Sequence, residues 1–98
     1  MSALSPRQRQ QLKGLAHGIS VSVQIGAAGL TDGVVDATNR ALAAHELIKV
    51  KVGQGSDLDR KKGAAELAQR TQAQVAGVIG RVWILYRPDP EEPRIVLD

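Results

Sequence analysis

Seven residues, Ile19-Ser20-Val21-Ser22-Val23-Gln24-Ile25, alternate apolar and polar without interruption. That is the period-2 signature of a strand with one buried face. Beyond Leu30-Thr31-Asp32 the period changes: Val34, Val35, Thr38, Ala41 and Leu42 fall at helical spacing, predicting a helix capped by Thr31 and running to Ala44 or His45. Between the two lies Gly26-Ala27-Ala28-Gly29, a small-residue loop at a strand-to-helix junction. Amides at a helix N-terminus lack intrahelical acceptors and the helix dipole favours negative charge there, so a bare loop lets an anionic backbone come close.

The same reading extends along the chain. Ser5-Pro6-Arg7-Gln8 has capping-box spacing with proline at the first helical position. Leu12, Leu15 and Ala16 give the following helix an apolar face, and Gly14 or Gly18 ends it. Glu46 to Val52 reads as a second strand, with Ile48, Val50 and Val52 on one face and Leu47, Lys49 and Lys51 on the other. A helix between two strands implies a parallel pair. After the Gly53–Ser56 loop, Ser56 or Asp57 is expected to cap a third helix whose apolar positions are Leu58, Ala64, Ala65, Leu67 and Ala68. Gln74–Ile79 and Val82–Arg87 read as a hairpin turning at Gly80-Arg81. Pro88, Pro90 and Pro93 mark an extended tail with an edge strand considered at 94–97.

The predicted order is α-β-α-β-α-β-β in one α/β domain over residues 1–88, followed by an acidic, proline-containing tail over 89–98. Both early strands alternate instead of being apolar throughout. That predicts two layers, with the helices on one side of the sheet only and a wet opposite face.

Charge then changes the picture. The net charge is +3, but residues 89–98 carry four acids against Arg94, so the preceding 88 residues hold +6. A basic body with an acidic tail suits a polyanionic partner, and equally a solvated lysine-rich surface. There is no cysteine, which excludes disulfides and thiolate metal sites and fits a reducing, cytoplasmic setting. The N-terminus does not read as a secretory signal. The uncharged run from Gly14 to Leu30 contains His17, Ser20, Ser22 and Gln24 and alternates, so no membrane span is expected.

In a parallel β-α-β unit, loops after the strands gather at one end of the sheet, where helix N-termini point. The Gly26–Gly29 and Gly53–Ser56 loops belong there, with Arg60, Lys61 and Lys62 in the first turns of the third helix and Lys49 and Lys51 leading toward it. This makes an amide cradle beside a basic surface, suited to tracking phosphates. Asp32, Asp57 and Asp59 lie at the same end and oppose that field. Spacing alone leaves a second reading open, in which the glycines shape a turn and touch nothing. A dinucleotide fingerprint needs a third glycine that is missing, and a Walker loop needs Gly-Lys-Ser or Gly-Lys-Thr. The KH domain clamps nucleic acid with a G-x-x-G loop, but between two helices. Trp83 and Tyr86 fall on opposite faces of one strand and read as packing residues, not stacking platforms. His17 and His45 lack metal-ligand spacing, and no nucleophile, carboxylate pair or Ser/His/Asp set stands out. No catalysis, metal or cofactor is expected.

Four ordered blocks then carry a resemblance: Leu4 to His17, Ile25 to Thr31, His45 to Val52, and Val78 to Arg87. Together they resemble the bacterial YhbY proteins, stand-alone CRM (chloroplast RNA splicing and ribosome maturation) domains. The resemblance implies a four-stranded mixed sheet with three helices, similar to the C-terminal domain of translation initiation factor three. It also implies a non-enzymatic, RNA-binding ribosome-assembly factor associated with large-subunit precursor ribosomal RNA. The family loop maps onto Gly26, Ala27, Ala28 and Gly29 and its basic positions onto Lys13, Lys49, Lys51 and Arg87. Arg60, Lys61 and Arg81 complete the expected RNA contacts. Two departures stand out. The loop centre is Ala-Ala without a polar or basic side chain, so its contacts must come from backbone amides, and Gly18-Ile19-Ser20-Val21 lacks the proline common at the first strand's entry. The alternative is an adaptor that docks on a ribosomal protein without touching RNA. A small phosphate-ligand binder stands further off.

Overall fold

A computed structural model describes residues 3–53 and 59–97. Helix α1 covers Pro6–Ala16, strand β1 Val21–Ile25, α2 Asp32–His45, β2 Leu47–Val52, α3 Arg60–Arg70, β3 Gln74–Ile79 and β4 Val82–Tyr86. The caps explain where the helices begin. Ser5 Oγ accepts from the Gln8 amide at 3.1 Å while Gln8 Oε1 accepts from the Ser5 amide at 3.0 Å, a complete capping box. Thr31 Oγ1 accepts from the Val34 amide at 3.2 Å and starts α2. The expected α3 caps, Ser56 and Asp57, and the expected core residue Leu58 lie outside the described residues. Asp59 is the cap observed, accepting from the Lys62 amide at 2.9 Å.

The sheet runs β1-β2-β4-β3, with β1 and β2 parallel and both β4 pairings antiparallel. Element order, helix number and the mixed sheet match the sequence reading. The placement of helices on one side is corrected. Ile48, Val50, Val52, Trp83 and Leu85 form one core with Leu42 of α2 and Ala64, Leu67 and Ala68 of α3. The opposite face is not simply wet: Leu47, Ile84, Tyr86 and Ala76 pack on Leu12 and Ala16 of α1 and on Leu4. Those strand residues are apolar enough to demand cover, and α1 supplies it over part of the face. Trp83 and Tyr86 are buried on opposite faces, as read.

Two register shifts revise which side chains share a face. In β1, Val21 aligns with Lys49 but Val23 with Val50, so a bulge at Ser22 places Val21 on the α1 side although the alternation put it with Val23. In β3, Val75 aligns with Leu85 and Gly77 with Ile84, which sends both Ala76 and Gly77 to the α1 side. Ala65, expected in the core, is exposed, whereas Gly63 is buried.

The tail forms no strand at 94–97. It is held by Glu46, expected as the first residue of β2 but found as the C-cap of α2 with φ 62°. The buried Glu46 carboxylate accepts from the amides of Asp89 (2.6 Å), Arg94 (2.9 Å) and Ile95 (3.0 Å). Ile95 and Leu97 then pack on the α1-side core, and Gln11 Nε2 donates to the Val96 carbonyl at 2.7 Å.

Candidate nucleic-acid interface

The C-terminal ends of β1 and β2 meet where the Gly53 amide donates to the Ile25 carbonyl at 2.8 Å. The Val52 amide donates to the Arg81 carbonyl, also at 2.8 Å, so the β3–β4 turn is fixed beside them. Arg60 Nη1 lies 3.4 Å from the Gly80 carbonyl, bringing the start of α3 to the same end. The topology therefore gathers the Gly26–Gly29 loop, Lys51, Arg81, Arg60 and Lys61 at one end of the sheet.

The loop is a tight turn. The Gly29 amide donates to the Gly26 carbonyl at 3.1 Å and the Thr31 amide to the Gly29 carbonyl at 3.0 Å. These two amides are spent internally, so the cradle is smaller than the sequence suggested. The amides of Ala27 and Ala28 have no protein acceptor among the described residues, and both residues are exposed. The two glycines differ in what they do. Gly29 has φ 77°, a left-handed conformation that favours glycine. Gly26 has no such φ, and a Cβ added there would meet nothing within 4 Å. Turn geometry thus accounts for Gly29 but asks nothing of Gly26, whose missing side chain leaves room only on the solvent side.

Beside the loop is the half of the sheet that α1 leaves uncovered. Lys51 is exposed, in register with Gln24 and Val82. Lys49 is half-buried, its Nζ donating to the Ile19 carbonyl at 3.0 Å, which aims an ammonium with two further protons at the open face. Lys13 reaches this face from α1. Its stem lies flat on Gly77, where an added Cβ would sit 2.6 Å from Lys13 Cε. Among the described residues, Lys13, Lys49, Lys51 and Arg81 have no carboxylate within ion-pairing distance. Three other cations lie beside carboxylates: Arg40 pairs with Asp36 at 3.1 Å, Arg70 with Asp32 at 3.5 Å, and Arg94 lies 3.8 Å from Glu46, while Arg9 donates to the Leu4 carbonyl. Asp59 is occupied by its capping role; the Lys62 amide, more than the neighbouring Lys62 and Lys61 charges, holds its carboxyl below the usual range.

Arg87 is not part of this surface. Its guanidinium donates to Asn39 Oδ1 (2.9 Å), the Thr71 carbonyl (2.8 Å) and the Asn39 carbonyl (3.1 Å), tying α2 to the end of α3. Sequence reasoning passed over Gly77, Ile79 and Val82, which share the open face with Lys13 and Lys49. The β3 bulge hides this, because strict alternation sets Gly77 and Ile79 opposite Ala76.

The assembly is a small α/β domain with a partly uncovered, cationic sheet face and an amide-bearing turn at its rim. Residues 4–87 match the CRS1 / YhbY (CRM) domain, and the chain belongs to that family. It is 44% identical over 98 residues to a Haemophilus influenzae protein named "RNA-binding protein", covering 99% of this chain and 97% of that one. It is 32% identical to YqeI of Bacillus subtilis, covering 96% of this chain and 98% of that protein. The solution structure of SAV1595 from Staphylococcus aureus superposes with a TM-score of 0.83 at 34% identity, covering 97% and 99% of the two chains.

Proposed function

We propose that this domain is a non-enzymatic RNA-binding protein that grips the phosphate backbone through the Gly26–Gly29 turn and the cations Lys13, Lys49, Lys51, Arg60, Lys61 and Arg81. The observation that carries this reading is the charge asymmetry. Among the described residues, Lys13, Lys49, Lys51 and Arg81 stand without acidic partners, whereas Arg40, Arg70 and Arg94 lie beside carboxylates. Unpaired cations beside exposed amides are what a polyanion needs, since phosphates supply the dominant, salt-dependent part of nucleic-acid affinity. The name of the Haemophilus influenzae relative adds RNA as the partner. The family likeness points to precursors of the large ribosomal subunit, in the cytoplasm, as the setting. Arg87 serves the fold and not the RNA.

Sedimenting cell extract on a sucrose gradient and crosslinking the chain in its peak fractions tests the assignment. Crosslinks to precursor ribosomal RNA in large-subunit fractions are expected; a chain that stays at the top of the gradient without RNA refutes it. A second reading, an adaptor docking on a ribosomal protein, is favoured by one observation. An open groove of about 510 Å³ beside β1 is lined by Leu15, Ile19, Val21, Leu47 and Ile95. Particle association that survives nuclease treatment supports that reading; its loss supports direct RNA contact.

A further inference from the structure

Where α1 ends on the sheet there is a hollow of about 160 Å³. Ile79, Val82 and Ile84 make its floor, Lys13 and Lys49 flank it, and His17 stands at its rim. The floor is apolar yet open to solvent, with Ile79 52% exposed. In register the buried Ile84 lies between Lys49 and Gly77, over which Lys13 lies, and Val82 and Ile79 form the next row. The hollow is well below the roughly 300 Å³ at which small-molecule clefts begin, so it suits a single ring system and not an enclosed cofactor.

The seat is specific in its construction. Gly77 is the residue under Lys13, and a Cβ there would push the end of the lysine stem off the strand. The bulge in β3 is what turns Gly77, and with it Ile79, to this face. Lys49 is likewise oriented, by its bond to the Ile19 carbonyl. Two positioned cations therefore bracket an aliphatic floor, and among the described residues no carboxylate lines it. An occupant must present an apolar face with anionic groups to either side. One nucleotide unit of a single-stranded segment does so: the base lies on the floor and its neighbouring phosphates meet the two lysines. An imidazole at the rim is a recognised stacking partner for an unstacked base.

Resting on the RNA-binding reading above, we propose that this hollow receives one unstacked nucleobase of the bound strand, with Lys13 and Lys49 holding the phosphates that flank it. Base contact would then come from aliphatic packing and His17, in a domain whose tryptophan and tyrosine are both buried in the core.

Fluorescence anisotropy with two probes separates base from backbone: a labelled single-stranded RNA of about twelve nucleotides, and the same oligonucleotide with abasic riboses throughout. The full chain is compared with Ile79→Ser, His17→Ala and Lys13→Gln, far-UV circular dichroism confirming the fold of each. The parent chain should bind the base-bearing RNA more tightly than the abasic one. Ile79→Ser should weaken base-bearing RNA about fivefold, the low end for a stacked base, and leave abasic RNA unchanged. His17→Ala should act in the same sense, which keeps the test valid if Ile79→Ser misfolds. Neither should change the slope of log affinity against log salt, whereas Lys13→Gln should reduce it by about 0.7 for the lost phosphate contact. If Ile79→Ser and His17→Ala weaken both probes equally or neither, the base site is wrong while backbone binding stands. Binding of neither probe by the parent chain overturns both readings. Displacement of base-bearing RNA by an acidic leucine-rich peptide, with Ile79→Ser weakening the peptide and not the RNA, also overturns the base assignment.

Discussion

Replacing Glu46 should detach the C-terminal tail and cost more stability than any surface change of similar size. Its carboxylate is buried and accepts three main-chain amides, from Asp89, Arg94 and Ile95, at 2.6, 2.9 and 3.0 Å. An amide bonded to a charged acceptor contributes about 1.5 kcal/mol net at the low end, so the trio amounts to roughly 4–5 kcal/mol. The half-exposed Arg94 guanidinium at 3.8 Å adds little. With the carboxylate gone the tail lifts and water takes up the freed amides, leaving an expected loss of about 2–3 kcal/mol for Glu46→Ala. For a domain of this size that is a fall in Tm of roughly 10–20 °C. The backbone supplies an internal control. Glu46 holds φ 62°, which costs a non-glycine residue about 1 kcal/mol, so Glu46→Gly should be less damaging than Glu46→Ala by about that amount. Trp83, the single tryptophan and fully buried, reports both thermal and urea unfolding by its fluorescence. A Tm for Glu46→Ala within about 3 °C of the parent, or a glycine variant less stable than the alanine one, would refute the clamp.

The same carboxylate sets a pH dependence. Burial raises its pKa, but the Asp89, Arg94 and Ile95 amides and the Arg94 charge outweigh that, so the folded value lies below the ordinary one. Stabilisation is therefore complete above the unfolded pKa and is lost as pH falls through the folded value; the parent should lose more stability than Glu46→Gln between about pH 5 and pH 3 by urea titration. Gly26→Ala should leave the melting temperature unchanged yet weaken RNA binding severalfold in anisotropy, whereas Gly29→Ala should destabilise the fold by about 1 kcal/mol because of its positive φ. Arg87→Ala should cost about 2–3 kcal/mol by releasing Asn39 and Thr71, while the salt dependence of RNA binding stays at the parent slope.

Features governed by neighbours along the chain were legible in the sequence. The Ser5–Gln8 capping box, the Thr31 cap, the period switch around Gly26–Gly29 and the Gly80-Arg81 turn depend on contacts within a few residues. Features decided by distant partners were not. Nothing local to Ser22 or Ala76 announces a bulge, because the extra residue exists only relative to the strand alongside. Yet those bulges decide that Val21 and Gly77 face α1. The side chosen by α1 depended on Leu47, Ile84 and Tyr86 forming a common apolar patch, visible only once β2 and β4 are paired. Glu46 read as a strand residue because its acceptors' partners lie more than forty positions away. Within the candidate site, Lys49, Lys51 and the loop were recognisable from their pattern. The separation of Arg87 from Lys13 was not, because a basic residue's partners are a tertiary fact.

Two charge-matched pairs of substitutions put the central claim to its most direct test: Lys49→Gln with Lys51→Gln on the open face, and Arg40→Gln with Arg94→Gln, which lie beside carboxylates on and after α2. Each removes two positive charges, so any effect of overall charge is equal. Affinity for one single-stranded RNA, measured across a salt series, should lose about 1.4 units of log–log slope with the lysine pair and none with the arginine pair. Equal changes in slope from both pairs would contradict a backbone-gripping surface on the α1 side.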